Sequence, residues 1–209
     1  MTRLTNPVPP SLPFGTEEYS RKYQDQYSNV LRLYFNQLFN VFSSLFGDTG
    51  GGFLKNPYGA FSSFASQTAT VNTATLMTLD TTDFSNGVSI TSSKIKVVNP
   101  GIYNLQFSAQ FQNLDNAPQD VFIWLKQNGT DIVGSTGKVG MPARKSAGVP
   151  THDIKGWNYF VSMQTNDYIE IYWSTTNASV TIETYAASGT PTKPSTASVV
   201  ATMSFVSVI

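Results

Sequence analysis

Apolar and polar residues alternate in the segment NPGIYNLQFSAQFQN, residues 99–113. From Tyr103 to Phe111 the odd positions are apolar, and from Asn104 to Gln112 the even positions carry amides or a hydroxyl. This period of two predicts a β-strand with one face in a core. The outer face has no charged side chain, so either ordinary solvent or another chain covers it.

Strand-like segments recur through the second part of the chain. They lie near residues 59–66, 69–79, 88–97, 101–112, 119–127, 157–164, 167–174, 178–186 and 196–209. Turn-forming pairs such as Asn86-Gly87, Asn128-Gly129 and Asn166-Asp167 separate several of them. Many short strands at this spacing predict a mainly β domain over residues 57–209, an antiparallel sandwich or barrel.

A helical period precedes the strands and predicts one long helix over residues 16–46. Thr16 is the expected N-cap, Glu17 and Glu18 suit the positive end of the helix dipole, and Gly47 suits the C-terminal end. An apolar stripe with an 11-residue period, typical of straight or slightly right-handed bundles, consists of Tyr19, Tyr23, Tyr27, Val30, Tyr34, Leu38, Val41 and Leu45. A second stripe beside it consists of Leu31, Phe35, Phe39, Phe42 and Phe46.

The segments on either side of the helix help to decide between its possible roles. Residues 1–15 are a Pro-rich arm, and residues 47–56, with GDTGGG, are a Gly-rich linker that separates the helix from the β domain. A core helix of one globular domain is one alternative. A membrane span is disfavoured because polar residues, among them Arg32 and Asn36, interrupt the apolar run. We favour a helix that trimerises the chain or anchors it in a larger assembly.

Composition restricts the function. The chain has 209 residues, a formal net charge of zero, 12% charged residues and no Cys. No electrostatic field directs it to nucleic acid, and neither disulfides nor thiolate chemistry is available. The N-terminal residues have no apolar leader, which predicts synthesis in a cytosol. A Cys-free protein that works outside a cell is expected to be stabilised by oligomerisation.

Catalytic motifs are absent from the sequence. One His, no Cys and no Gly-x-Ser-x-Gly argue against a hydrolase triad, and GSTGKVG lacks the pattern of a phosphate loop. Asp80 and Asp83 could bind a metal, but Asp favours turns, and we interpret them as turn residues. We predict no enzymatic activity, no cofactor and no metal site.

Two loops are candidate contact surfaces. Residues 137–156 form an unusually long predicted loop rich in basic residues, and residues 186–197 form a second one rich in Gly and Pro. Simple solvated loops are the alternative. The candidate receptor-contact residues in these loops are Lys138, Arg144, Lys145, His152, Lys155 and Lys193.

The β region resembles the jelly roll shared by tumour necrosis factor and the globular heads of complement-type collagens. KIKVVNPGIYNLQFSAQF is similar to that family's P-x-x-G-x-Y followed by an alternating strand, with Pro100, Gly101 and Tyr103 closer together. VFIWLKQNGTDIVGS resembles an apolar strand ending in Asn-Gly, and YFVSMQTNDYIEIYW resembles L-x-x-G-D-x-V with Asn166 in the Gly position. The terminal ATMSFVSVI resembles the closing core strand.

This resemblance implies an antiparallel jelly-roll sandwich that forms a compact homotrimer, each protomer packing through one of its sheets. Gln106 and Gln110, on the charge-free face of the alternating strand, then become candidate interface residues. The long helix would serve as a trimeric stalk or anchor below the head.

The segment VLRLYFNQLFN resembles the virion-attachment segments of small structural proteins from marine tailed phages. Together the two resemblances imply a homotrimeric fibre, spike or capsid decoration in the virion. Residues 1–46 would bind other virion proteins, and the head would be exposed, with a glycan or protein of the host surface as a partner. The alternative is a bacterial trimeric ligand- or carbohydrate-binding module with no virion.

Overall fold

The computed structural model describes residues 7–15, 17–46 and 56–209. The chain separates into two compact units, residues 1–55 and residues 56–209. The predicted N-cap Thr16, the predicted end at Gly47 and all but the last residue of the predicted linker 47–56 lie outside the described residues.

The first unit contains helix α1 (Arg21–Phe46). The helix begins five residues later than predicted, and Ser20 caps it: the Tyr23 N–H donates to Ser20 Oγ at 3.4 Å. Glu17, Glu18 and Tyr19 therefore precede the helix. The Tyr23 hydroxyl donates to the Pro13 carbonyl at 3.3 Å, which joins the arm to the first turn. Within the described ranges, no helix is long and apolar enough to cross a membrane.

The described part of the second unit consists of strands and their connections. In chain order the strands are β1 (Tyr58–Ser63), β2 (Thr75–Leu76), β3 (Thr81–Asn86), β4 (Val88–Thr91), β5 (Lys94–Val97), β6 (Gly101–Asn113), β7 (Gln119–Gln127), β8 (Thr130–Asp131), β9 (Gly137–Met141), β10 (Thr151–Met163), β11 (Tyr168–Thr175), β12 (Val180–Ile182), β13 (Ser188–Gly189), β14 (Thr192–Lys193) and β15 (Val199–Ser207).

Thirteen of these strands form two antiparallel sheets that pack as a sandwich, and β13 and β14 pair only with each other. Sheet A has the order β10-β6-β15-β1-β3, with β12 also on β6, and sheet B has the order β4-β5-β11-β7-β8, with β2 on β11 and β9 on β7. The jelly-roll order is carried by eight of these strands: β1, β5, β6, β7, β9, β10, β11 and β15. Numbered one to eight along the chain, they run 6-3-8-1 (β10-β6-β15-β1) in sheet A and 2-7-4-5 (β5-β11-β7-β9) in sheet B. This is the strand order of a jelly roll, and the predicted fold class is confirmed.

The core lies between the two sheets. The odd face of β6, from Tyr103 to Phe111, is fully or almost fully buried, as its alternation predicts. Phe111 of sheet A meets Trp173 of sheet B edge to face, with ring centroids 5.6 Å apart. Burial raises the pKa of Tyr103, whose hydroxyl donates to the Asn99 carbonyl at 2.8 Å. The NPGIY turn is thereby tied to the core.

Several predicted boundaries are wrong. The predicted loop 137–156 contains β9 and the first half of β10, so only residues 142–150 connect strands there. These strands pair with β7 and with the whole length of β6, which are distant in sequence, and such pairing overrides the local Gly, Pro and Lys signals. Asp83 lies within strand β3 rather than in a turn. The predicted loop 186–197 contains the short β13–β14 hairpin.

The Asp167 side chain connects two turns at one end of the sandwich, the turn after β7 and its own turn before β11. Its Oδ1 accepts from Asn128 Nδ2 at 2.7 Å, and its Oδ2 accepts from Gln127 Nε2 at 3.0 Å and from the Gln164 N–H at 2.7 Å. Burial by itself raises the pKa of this carboxyl, but these hydrogen bonds to the ionised form outweigh it, and the net pKa lies below its ordinary value.

Asp167→Asn is expected to reduce the acid sensitivity of folding. Because the folded-state pKa is lowered, the carboxylate contributes stability above the unfolded pKa of about 3.9, and this stability is lost as the pH falls through the folded pKa. Urea midpoints at about pH 6 and about pH 3 should differ less for the variant than for the wild type. The exposed helix variant Asp25→Asn should keep the wild-type difference. If the difference between the two urea midpoints is the same in Asp167→Asn as in the wild type, the lowered pKa of Asp167 is contradicted.

Candidate functional site

The outer face of sheet A is the surface that the alternating strand predicts. Cross-strand register shows which side chains share the face with the even positions of β6. On β6, β10 and β15 the outward residues are Ile102, Asn104, Gln106, Ser108, Gln110, Gln112, His152, Ile154, Gly156, Asn158, Phe160, Ser162, Val200, Thr202, Ser204 and Ser207. This set, the outer face of sheet A, contains no Asp, Glu, Lys or Arg.

Apolar side chains on this face are exposed. Ile154 is 63% exposed, Phe160 56% and Val200 38%. Two shallow grooves, with volumes of 310 and 430 Å³, lie beside Gln106, one towards β15 and one towards β10. Exposed apolar groups among uncharged polar groups are the chemistry of an interface core, from which charged residues are depleted.

The two predicted interface amides differ in their contacts. The exposed Gln106 side chain forms no hydrogen bond with any described residue. Gln110 Nε2 donates to the Ala197 carbonyl at 3.1 Å and so belongs to the fold of its own chain. Gln112 Nε2 likewise donates to Thr181 and Glu183. Of the three amides, only Gln106 is available to a partner in its present position.

Helix α1 has no buried residue. Its predicted stripe residues from Tyr23 to Leu45 are half-buried, and Tyr19, before the helix, is exposed. The second stripe is more open, since Phe35 is 60% exposed, Phe39 69% and Phe46 81%. A helix of 26 residues gains most of its stability from packing an apolar face, and this face has room for a partner.

The predicted receptor-contact residues do not form one patch. Lys138, on β9, forms an ion pair with Asp120 at 2.9 Å, and Lys155, on β10, forms one with Asp153 at 2.7 Å. Arg144 and Lys145 lie in the remaining loop, where Arg144 Nη1 donates to the Leu114 carbonyl at 3.4 Å.

His152 and Lys193 are brought together around one tyrosine. His152 Nδ1 lies 3.0 Å from the Tyr185 hydroxyl, and Lys193 Nζ lies 5.6 Å from the centroid of the same ring. Burial and the negative charge of Glu183 raise the pKa of Tyr185. The tyrosine is therefore neutral at physiological pH, and its hydroxyl is a polar contact group beside His152 and Lys193.

The outer face of sheet B was missed by the sequence analysis. It carries a row of aromatic rings with lysines over them: Lys94 Nζ lies 4.4 Å from the Tyr168 ring centroid, and Lys126 Nζ lies 4.5 Å from that of Tyr172. Trp124 packs against Tyr172 at 5.8 Å. A local signal existed, because Lys94 and Lys96 are two residues apart on a strand and must share a face.

No protein-family model matches the chain, and a search of curated proteins finds no match.

Proposed function

We propose that the protein is a structural component of a tailed-phage virion, a homotrimeric fibre, spike or capsid decoration. Residues 1–46 attach it to other virion proteins, and the jelly roll is the exposed head that contacts the host surface. One observation carries the proposal: a 26-residue helix with no buried residue accompanies a jelly roll whose sheet A has no charged outward residue on β6, β10 or β15. Each of the two units thus offers a surface suited to a partner.

The strand order supports a trimeric head. In the family that the β region resembles, protomers pack through one sheet of the jelly roll. Sheet A suits that role because its outer face has no charged side chain on β6, β10 or β15. Sheet B suits exposure because its outer face carries several lysines and aspartates. Sheet A therefore forms the proposed three-fold interface, and sheet B faces outwards.

Deletion of residues 1–46 tests the division of roles. Full-length and shortened chains with a C-terminal tag would be produced in infected host cells, and virions purified by density gradient. We expect the full-length chain on the particles and the shortened chain only in the soluble fraction, still as a β-rich trimer. Absence of the full-length chain from particles contradicts a virion role. A shortened chain on particles contradicts the anchor, and loss of its trimer contradicts the separate head.

A pair of point variants tests the helix without shortening the chain. Phe35→Glu with Phe42→Glu places two charges in the exposed second stripe and should abolish particle attachment, since burying unpaired charges is costly. Asn36→Glu with Ser43→Glu adds the same charges at the same spacing on exposed polar positions and should not. Equal attachment of both variants would exclude the second stripe as the contact.

A further inference from the structure

We infer that a cleft at one end of sheet B binds an acidic saccharide. The cleft has a volume of 410 Å³, within the range of small-molecule sites. It is lined by Thr91, Ser92, Lys94, Lys96, Asn166 and Tyr168. None of these residues belongs to the outer face of sheet A or to the predicted contact loops, and the site requires neither the trimer nor the virion.

The fold brings two distant segments together to form this cleft. Lys94 and Lys96 lie on β5 and project from the same face, and Tyr168 on β11 is the cross-strand neighbour of Lys96. The turn before β5 contributes Ser92, and the turn before β11 contributes Asn166. The jelly-roll order makes β5 and β11 neighbours, so both turns border the same end of the sheet.

Positive charge in the cleft is not neutralised by an ion pair. Among the described residues neither Lys94 nor Lys96 forms one, whereas Lys126, Lys138 and Lys155 are each paired with an aspartate. The carboxylate of Asp167, adjacent to Asn166, already accepts three hydrogen bonds from other groups. An anion can therefore contact both ammonium groups without breaking an ion pair, beside the Tyr168 ring that already holds Lys94 and the Glu170 carboxylate, which is the next outward group of β11.

The other polar groups of the cleft are also available. The side chains of Thr91, Ser92 and Asn166 and the Tyr168 hydroxyl form no hydrogen bond with any described residue. Two ammonium groups, an amide and three hydroxyls thus line a cleft that has no carboxylate in its lining. Ammonium groups recognise a carboxylate, and the amide and hydroxyls suit the hydroxyls of a sugar.

The walls of the cleft are held by the core. Ser93, buried beside Ser92, accepts from the Leu79 N–H at 3.0 Å and donates to the Leu79 carbonyl at 3.3 Å. The Asn166 N–H donates to the Val97 carbonyl, and the Val97 N–H donates to the Asp167 carbonyl, both at 3.0 Å. The Tyr168 ring positions the Lys94 ammonium. A preformed site loses less conformational entropy on binding.

The neighbouring surface favours a saccharide over a bare anion. Tyr172 and Trp124 continue the outer face of sheet B beyond Tyr168. Their partly exposed aromatic rings can contact further sugar units of a chain. One acidic sugar unit in the cleft and further units along the aromatic row account for both features.

Titration of the full-length protein with hexagalacturonate at low ionic strength tests the inference. We expect binding that weakens as salt is added. Lys94→Gln with Lys96→Gln should lower the affinity by at least about tenfold. The control, Lys22→Gln with Arg32→Gln, removes the same charge from exposed positions of helix α1 and should retain the wild-type affinity. In the wild type the amide NMR signals of Ser92 and Asn166 should shift, a measurement that needs no variant.

Each other outcome overturns the inference. It fails if hexagalacturonate does not bind, if neutral maltohexaose binds equally well, or if inorganic phosphate alone binds as tightly. It also fails if the control pair loses as much affinity as the cleft pair, since net charge would then explain binding. A monomeric protein that binds hexagalacturonate through the cleft would retain this site while contradicting the trimer, so the two proposals fail separately.

Discussion

Lysines introduced together at Gln106 and Thr202 are expected to convert the proposed trimer into monomers. The two residues are cross-strand neighbours at the middle of the outer face of sheet A, and neither side chain forms a hydrogen bond with a described residue. Burying an unpaired charge costs several kcal/mol, so the trimer dissociation constant should rise at least about a thousandfold. Sedimentation equilibrium at micromolar concentration measures the change.

The choice of Thr202 as the second position follows from the structure. From the sequence alone, Gln106 and Gln110 are the candidate pair, but Gln110 donates to Ala197, and its substitution would also disturb the folded chain. The control, Thr130→Lys with Thr136→Lys, adds the same charge at exposed positions on the other side of the sandwich. If the Gln106→Lys, Thr202→Lys variant remains trimeric, sheet A does not form the interface. If the control becomes monomeric, general charge repulsion explains the dissociation.

The sequence pattern predicts strand β6 and helix α1, because each follows from the spacing of apolar residues that are close together in the chain. The strand around Phe107 has a period of two because alternate side chains enter the core, and that period is visible in the sequence. The helix is equally visible through its stripes, although Ser20 rather than Thr16 precedes its first turn. Both features depend on residues close together in the chain.

Features that depend on distant partners could not be predicted in the same way. The first half of β10 contains His152, Asp153 and Lys155, which are typical of a loop, yet it pairs residue by residue with β6. Asp153 and Lys155 neutralise each other at 2.7 Å, which allows them to lie half-buried at the sheet edge. Cross-strand pairing and this ion pair determine the strand, and neither is readable from the segment itself.

The candidate surfaces also have features that one segment determines and features that depend on distant segments. The absence of charge on β6 is a local property, and the prediction of an uncharged face required only that strand. The hydrogen bond that removes Gln110 from that surface comes from Ala197, near the other end of the domain. The cleft at Lys94 and Asn166 exists only because the jelly roll places β5 beside β11. Surface chemistry was therefore predictable, and the availability of individual groups was not.

Gly156→Ala is expected to destabilise the head by about 3 kcal/mol or more. Gly156 is the cross-strand partner of Ser108 in the long β6–β10 ladder. A Cβ at this position would lie 2.0 Å from the Phe107 carbonyl oxygen and 2.9 Å from the Ser108 Cα. These obstacles are backbone atoms, so no side chain can rotate away to make room. The methyl group can be accommodated only if the two strands separate and lose ladder hydrogen bonds.

Gly140→Ala is the matched control for this substitution. Gly140 also lies within a strand, β9, but a Cβ there would have no atom within 4 Å. Alanine at that position lowers the conformational entropy of the unfolded chain, so its effect should be neutral or slightly stabilising. Thermal unfolding of the two full-length variants measures the contrast, and about 3 kcal/mol corresponds to a decrease of roughly 6–12 °C for Gly156→Ala. Equal unfolding temperatures would mean that β10 does not approach β6 this closely at Gly156.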